Sequence, residues 1–170
     1  MSTNENELRS NTSDSEMTVE EAIRFAYGNN IPMYQSLAKD LGKEKLLKML
    51  EKATAEKIAQ EIQFVAKDMP VRDMAHFSQF LKDYLASPPY NTILTNQITE
   101  ESDKVVEITH TECLFAKIFR ELDASDIGYV LECSASDVAA KAFNPKMRAT
   151  TPKCLMKGDS FCIERFELKE

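Results

Sequence analysis

The residues best suited to chemistry in this 170-residue chain are its four cysteines, all of which follow residue 112. They are Cys113, Cys133, Cys154 and Cys162. A cysteine thiolate acts both as a nucleophile and as a metal ligand, so this group predicts either covalent catalysis or a metal site. The alternative is that each cysteine is a small apolar residue of the core, since free cysteine is among the most buried residue types.

Cys133 precedes Asp137 by four residues. On a continuous helix the two side chains would share one face, with their Cβ atoms about 5–6 Å apart. Such a pair could supply a nucleophile and a general base, or two ligands of one metal ion. The carboxylate alone would raise the thiol pKa, so a reactive Cys133 also requires a cation, a metal or a helix N-terminus nearby. Asp137 could equally cap a short helix that begins at Ser136 or Asp137 and ends at Phe143.

Cys154 and Cys162 flank a turn signal at Lys157-Gly158-Asp159. A three-residue loop would set the two cysteines directly opposite each other on one sheet face. A two-residue loop at Gly158-Asp159 would instead pair Leu155 with Cys162, and Cys154 would face the other side. The C-x7-C spacing differs from the C-x2-C pairs typical of zinc fingers, so both registers remain open.

Further candidates surround the cysteines. His110 precedes Cys113 by three residues, where it could orient or activate a thiol or ligate a metal ion. Arg120 and Arg165 are the candidate partners of an anionic ligand, because a guanidinium donates two parallel hydrogen bonds to a carboxylate. Only two histidines are present, which excludes a zinc site with three or more histidine ligands. The chain has no glycine-rich phosphate loop, G-x-S-x-G elbow or H-E-x-x-H motif.

The first half of the chain has a helical pattern. Residues 1–16 are almost devoid of apolar side chains and are predicted to be a disordered tail. Thr18 and Glu21 form a capping box that predicts a helix, which the Gly28-Asn29-Asn30 segment should end. Pro32 should begin a new helical run that is broken at Gly42 and continues to residue 69. A further amphipathic helix is predicted from residue 74 to residue 85, before Pro88-Pro89.

The second half alternates between strand and helix patterns. Residues 93–99 and 104–109 predict a β-hairpin, and residues 147–156 and 161–168 predict another. Between them lie two helical segments, one from Cys113 to Leu122 and one from Ser125 to Phe143. This order predicts an α+β fold, with N-terminal helices on a small antiparallel sheet whose two hairpins flank a pair of helices. We expect a single domain over residues 17–170, with a helical part at 17–88 and a sheet-containing part at 90–170.

Composition narrows the choice of partners. The chain has 28 acidic and 21 basic residues, a net charge of −7 and a pI near 5.0. An acidic surface repels phosphate backbones, so nucleic-acid binding is not expected. The sequence has neither a membrane span nor the basic and apolar regions of a secretory signal, which predicts a cytoplasmic protein with reduced cysteines. A small molecule is the expected partner, and the long apolar helices allow a homodimer.

Several motifs together resemble the L-2-amino-thiazoline-4-carboxylic acid hydrolase family over about residues 32–168. They are the segment from Glu112 to Glu121, Asp126-Ile127-Gly128-Tyr129, Cys133 with Asp137, Phe143-Asn144-Pro145-Lys146, and Leu155 to Asp159 with Cys162 and Arg165. The resemblance implies a hydrolase that acts on a non-peptide carbon–nitrogen bond, opening the cyclic amidine of a thiazoline carboxylate to give N-carbamoyl-cysteine. The C-terminal half also resembles 4-vinyl reductase type small-molecule-binding domains, whose sensor members bind zinc through cysteines.

The resemblance implies two alternative sets of roles. In the hydrolase, Cys133 or Cys162 would be the nucleophile and Asp137 the general base. The substrate would be bound by residues near them, with Arg165 on its carboxylate and Asn144 on the developing charge, and with His110 and Cys113 beside them. In a non-catalytic binding module, a zinc ion would be held by Cys133, Cys154 and Cys162, with Asp137 or His110 as the fourth ligand.

Overall fold

The structure is a computed structural model that describes residues 17–170. The tail predicted at residues 1–16 lies outside the described residues. Within the described part of the chain, no helix combines the length and the apolar character needed to cross a membrane.

Helix α1 spans Val19–Leu41 and begins at the predicted capping box. The Thr18 hydroxyl accepts a hydrogen bond from the Glu21 amide at 3.2 Å, and the Glu21 carboxylate accepts one from the Thr18 amide at 2.8 Å. The predicted break at Gly28-Asn29-Asn30 is wrong, because α1 continues through it and through Pro32. Proline costs the helix one hydrogen bond. However, the neighbouring Ile31 is only 1% exposed, and its burial in the core keeps the helix intact.

The predicted break at Gly42 is confirmed. Gly42 has a φ of 84°, a conformation that favours glycine, and it separates α1 from α2 (Lys43–Ala66). Helix α3 (Met74–Ala86) follows, with Asp73 as its N-cap, and a short helix α4 covers Tyr90–Ile93.

The four strands form one antiparallel sheet. They are β1 (Leu94–Glu101), β2 (Val105–Cys113), β3 (Met147–Lys153) and β4 (Cys162–Leu168), in the order β1-β2-β4-β3. The two predicted hairpins and the α+β class are therefore confirmed. The two central strands, β2 and β4, come from different hairpins, so their pairing brings distant parts of the chain together.

The connection between the hairpins contains α5 (Leu114–Glu121), α6 (Ser125–Gly128), a π-helical turn (Tyr129–Cys133) and α7 (Ser136–Phe143). A turn at residues 134–135 separates the π-helical turn from α7. Two groups of buried side chains pack around the sheet. The first contains Phe77, Phe143 and Phe166, and the second contains Ile31, Phe119, Met156 and Cys154. The cysteines belong to the second group, so the packing of α1 and α5 determines their surroundings.

Two glycine substitutions test this packing. No heavy atom lies within 4 Å of a Cβ built on Gly28, so Gly28→Ala should raise the free energy of unfolding by ~1 kcal/mol in a continuous helix. A Cβ on Gly128 would lie 2.5 Å from the Phe119 ring and 2.9 Å from the Met156 sulfur. Gly128→Ala should therefore destabilise the protein by ~1–3 kcal/mol. Urea unfolding measures both changes, and a loss of stability in Gly28→Ala would contradict a continuous α1.

Candidate functional site

The register of the two central strands sets His110 directly opposite Cys162. Opposite residues of an antiparallel pair project from the same face, and every second residue along a strand does so too. Glu164, two residues after Cys162, therefore lies on that face as well. The Nε2 atom of His110 is 3.2 Å from the Glu164 carboxylate, whose other oxygen accepts a hydrogen bond from the Ser136 hydroxyl at 2.5 Å. This chain of contacts joins β2, β4 and α7.

The Nδ1 atom of His110 has no hydrogen-bond partner among the described residues, although the side chain is only 7% exposed. An ionised carboxylate only accepts hydrogen bonds, so Nε2 carries the proton that faces Glu164. In the neutral ring Nδ1 then has a free lone pair, and it can act as a base. Buried polar atoms are almost always hydrogen-bonded in folded proteins, so an unpartnered Nδ1 points to a ligand or water at this position.

The Glu164 carboxylate is held in its ionised form. Burial raises its pKa, but the hydrogen bond from His110, the positive charge that His110 carries when it is protonated, and the hydrogen bond from Ser136 outweigh that effect. The net result is a pKa below the ordinary value. Glu164 can therefore stabilise a protonated His110.

Cys154 lies close enough to Cys133 and Cys162 for the three thiols to influence one another's ionisation, and we call Cys133, Cys154 and Cys162 the thiol trio. Hydrogen bonds from Cys133 and Cys162 lower the pKa of Cys154. The same bonds, with burial, raise the pKa values of the two donors. The trio therefore favours one shared negative charge that is centred on Cys154. The Leu155 amide also donates a hydrogen bond to the Cys162 sulfur at 3.1 Å.

Different elements supply the three thiols. Cys133 ends the π-helical turn, and Cys162 is the first residue of β4. Cys154 follows β3, where the predicted strand over residues 147–156 stops early and a 3-10 turn (Leu155–Lys157) begins. The last paired residues of the hairpin are Lys153 and Ile163, the register that sets Cys154 opposite Cys162, as the three-residue loop predicted. Strand pairing ends there, however, and a longer loop replaces the predicted three-residue one. The loop between Lys153 and Ile163 reverses direction at Gly158, where φ is 96°. The Asp159 carboxylate accepts a hydrogen bond from the Cys154 amide at 2.7 Å.

Cys113 has a structural role beside the trio. It is the N-cap of α5, and its sulfur accepts a hydrogen bond from the Ala116 amide at 3.4 Å. Burial raises its pKa. Charges on Cys113 and on the trio also raise one another's pKa values, so all four cysteines lie within electrostatic reach of each other.

The predicted pair of Cys133 and Asp137 is not formed on one continuous helix, because the turn at residues 134–135 separates them. Asp137 accepts a hydrogen bond from the Ala149 amide at 2.9 Å and forms an ion pair with Lys141. Asp137 therefore links α7 to β3. The structure gives it neither a contact with the thiol trio nor the N-cap position, which belongs to Ala135.

The two predicted substrate-binding residues Arg165 and Asn144 are also engaged elsewhere. Arg165 alternates with Glu164 along β4 and lies on the opposite face, where it pairs with Glu100 at 2.5 Å, Glu107 at 3.0 Å and Glu167 at 3.1 Å. The amide of Asn144 donates to the Arg72 carbonyl at 2.6 Å, and its carbonyl accepts from the Lys146 amide at 2.9 Å. Neither side chain is brought to the thiol trio.

Glu164 and Ser136 were not among the predicted site residues. The strand period contained the signal for Glu164, because two residues after Cys162 is the same face of β4. Nothing in the spacing indicated Ser136, which reaches Glu164 only because α7 packs across the sheet. Within residues 17–170, no group of three or more His, Cys, Asp or Glu side chains has an arrangement that could hold a metal ion.

Comparison with known proteins gives a family and a fold. A family model described as L-2-amino-thiazoline-4-carboxylic acid hydrolase matches residues 21–166. Among solved structures, the chain is similar to the phenol-responsive sensory domain of the transcription activator PoxR with phenol. The sequence identity is 10% and the TM-score 0.54, and the match covers 89% of this chain and 75% of that one. This likeness shows the fold alone. No curated protein matches the chain.

The ionised state of Glu164 predicts how stability responds to acid. A carboxylate whose pKa is depressed in the folded state stabilises the protein above its ordinary pKa of 4.5, and this contribution disappears as the pH falls through the folded pKa. Glu164→Gln should therefore unfold more easily than the wild type at neutral pH, and the difference should shrink below pH 4.5. Urea titrations across this range measure it, with the exposed Glu44→Gln as the control. A difference that is independent of pH would contradict the assignment.

Proposed function

Because the chain belongs to the L-2-amino-thiazoline-4-carboxylic acid hydrolase family, we propose that it hydrolyses a small cyclic amidine at its amidine carbon. The observation that carries the proposal is the position of His110, which is bonded to Glu164 and stands opposite Cys162 in the sheet. A nucleophile, a base and a residue that orients the base are the three parts of covalent hydrolytic sites on many unrelated folds.

Cys162 is the thiol best suited to attack. Cys154 is only 2% exposed, whereas Cys162 is half-buried and is the cysteine opposite the histidine. Transfer of the Cys162 proton to Nδ1 of His110 gives a thiolate and an imidazolium. The Glu164 carboxylate stabilises that imidazolium through Nε2. The hydrogen bond to Cys154 raises the pKa of Cys162, so the attack depends on His110 as the base that takes the proton of Cys162.

The thiolate adds to the amidine carbon, and the electron pair of the carbon–nitrogen double bond moves to nitrogen, which takes the proton from His110. Collapse of this tetrahedral adduct restores a carbon–nitrogen double bond and breaks one ring bond, and the released ring atom takes the proton that the nitrogen had gained. Water then attacks the carbon bound to Cys162, and His110 passes a water proton to the nitrogen. As the carbonyl forms, the Cys162 sulfur leaves and takes up the proton of the new hydroxyl through His110. One water is consumed per ring opened, and the thiol, the histidine and the carboxylate return to their initial states.

The two histidines provide a matched test of this mechanism. With 2-amino-thiazoline-4-carboxylate as substrate, His110→Gln should lower kcat by ~10²–10⁴-fold, the usual contribution of a general acid–base group. His76→Gln should leave kcat unchanged, because His76 is exposed and, within residues 17–170, hydrogen-bonds only to Asp73 at the start of α3. Mass spectrometry of the ring-opened product measures turnover.

Cys162→Ser should abolish turnover and the covalent adduct, which intact-mass measurements on the wild-type protein should detect. Full activity in Cys162→Ser or in His110→Gln would contradict the proposed roles. A wild-type protein that does not open the ring would contradict the proposed hydrolysis itself.

A second candidate function is a non-catalytic small-molecule-binding module with a zinc ion held by cysteines. The observation in its favour is that all four cysteines lie within electrostatic reach of one another. The donor set suits zinc, and amide N–H groups already donate to the sulfurs of Cys113 and Cys162, as they do around metal-bound thiolates. Within residues 17–170, however, the cysteines do not form a group of three or more ligands that could hold a metal ion. The fourth ligands expected from the sequence are engaged, His110 with Glu164 and Asp137 with Lys141.

Native mass spectrometry of the reduced protein separates the two candidates. The hydrolase with a free Cys162 predicts the mass of the sequence alone and four thiols that react with an alkylating agent after denaturation. The binding module predicts an excess of one zinc ion, which Cys113→Ser should remove together with part of the thermal stability. A zinc ion retained in Cys113→Ser would exclude a four-cysteine site.

A further inference from the structure

One face of helix α1 carries large apolar side chains that are exposed to solvent. They recur every four or eight residues, and residues four apart are neighbours on a helix surface, so they follow one line along α1. Their exposed fractions are 69% for Phe25, 52% for Met33, 39% for Leu37 and 38% for Leu41. We call these four residues the α1 stripe. A contiguous apolar surface marks an interaction site, whereas single exposed apolar residues are normal.

The opposite face of α1 is already used by the fold. Ile31 belongs to the buried group that contains the cysteines, and the Tyr27 hydroxyl donates a hydrogen bond to Glu132. Helices α2, α4 and α5 pack against α1, yet the side chains of the α1 stripe stay accessible. The stripe is therefore a surface that no element within residues 17–170 covers.

Asn29 is the polar residue that lies in line with the stripe, between Phe25 and Met33. Its side-chain amide donates a hydrogen bond to the Phe25 carbonyl of the same helix at 2.7 Å. Burying a polar group is costly when its hydrogen bonds are lost. Because Asn29 already has a partner on its own helix, a second helix can cover the stripe at a reduced cost.

Small residues border the stripe on both sides. All four are exposed, with Ala22 and Ala26 on one side and Gly28 and Ser36 on the other. The distance between packed helices depends on the side chains at their contact, so these small residues let a second helix approach closely. Ala22 and Ala26 also line a concave surface of about 510 Å³ that extends to Phe115 of α5. The face of α1 therefore offers both protruding apolar side chains and space beside them.

The arrangement of the stripe allows it to pack against itself. Phe25 and Leu37 lie equally far along the helix on either side of Ile31, and so do Asn29 and Met33. Most oligomers of identical chains are two-fold symmetric dimers, in which residue i of each subunit contacts residue j of the other. With the two-fold axis at the level of Ile31, on the exposed side of α1, Phe25 meets Leu37 of the partner subunit. Asn29 then meets the longer Met33 of the partner subunit.

The charges at the two ends of α1 favour an antiparallel arrangement of two copies. Residues 17–24 contain two acidic residues, Glu20 and Glu21, against one arginine. Residues 39–48 contain four lysines against two acidic residues. Two antiparallel copies of α1 bring the acidic end of each helix to the basic end of the other, and such complementarity selects partner and orientation.

We propose that the α1 stripe is the interface of a two-fold symmetric homodimer in which two copies of α1 cross in antiparallel directions. The partner of this surface is a second copy of the same chain. A helix of 23 residues is about 34 Å long, so a contact through α1 is smaller than the ~800 Å² per subunit of standard interfaces. The dimer is therefore reversible and depends on protein concentration. It does not depend on the proposed hydrolysis.

Sedimentation of the full-length chain tests the proposal, under reducing conditions that prevent disulfide-linked dimers. The average mass should rise from the 19.3 kDa of the monomer toward twice that value as the protein concentration increases. Phe25→Ser should raise the dissociation constant at least tenfold, because it removes an aromatic anchor of the interface. Met33→Glu should do the same, because it places a carboxylate of each subunit in the apolar contact.

Phe64 provides the matched control. It is 69% exposed, as Phe25 is, but it lies on α2, where the Lys67 ammonium stands 4.3 Å from the centre of its ring. Phe64→Ser should leave the dissociation constant unchanged. Thermal unfolding verifies that each variant is folded, as expected for substitutions at exposed positions.

The antiparallel orientation is tested separately. Lys39→Glu should weaken the dimer several-fold, because it sets like charges against Glu20 and Glu21 of the partner subunit, and added salt should weaken the wild-type dimer. An unchanged dissociation constant in Lys39→Glu would overturn the antiparallel arrangement. A wild type that stays monomeric at every concentration would overturn the homodimer and leave the stripe to a different partner. A dimer insensitive to Phe25→Ser and Met33→Glu, or one that Phe64→Ser weakens equally, would place the interface elsewhere and reject the proposal.

Discussion

The pairing of β2 with β4 is the constraint on which the rest of the site depends. These strands belong to different hairpins, and their register alone determines that His110 stands opposite Cys162 with Glu164 two residues further along the same face. A shift of one residue would turn every side chain of β4 to the other face, exchanging Glu164 for Arg165. The buried apolar residues of these strands, Val106, Ile108 and Phe166, fix the register, because the same shift would expose Phe166 to solvent.

The charges are divided between the two faces of the sheet. On the inner face, Glu164 and the shared charge of the thiol trio are negative. On the outer face, Arg165 is surrounded by three glutamates. Arg165, which was predicted to bind the substrate carboxylate, therefore lies on the face opposite the thiol trio, and the three glutamates neutralise its charge. The inner face is therefore the negative face of the sheet.

The π-helical turn explains why Glu132 and Cys133 both face functional groups. Such turns insert one extra residue per turn and frequently occur at functional sites. Here the turn is followed by a break at residues 134–135, which separates Cys133 from Asp137 and lets Ser136 reach Glu164. The regular helix assumed for Cys133 and Asp137 would have produced a different site. One local irregularity therefore decides which carboxylate accompanies the thiols.

The sequence by itself determined the α+β class, the two hairpins, the break at Gly42 and the importance of the C-terminal cysteines and His110, because periodicity and turn residues act locally. It failed at Gly28-Asn29-Asn30 and Pro32, where burial of Ile31 outweighs local breaking signals. Only the tertiary structure decided that Cys133, Cys154 and Cys162 meet, that Glu164 partners His110 and that Tyr27 reaches Glu132. The physical reason is that these contacts join residues far apart in the chain, 54 positions for His110 and Glu164 and 105 for Tyr27 and Glu132. Their geometry follows from packing and strand register, which no local pattern encodes.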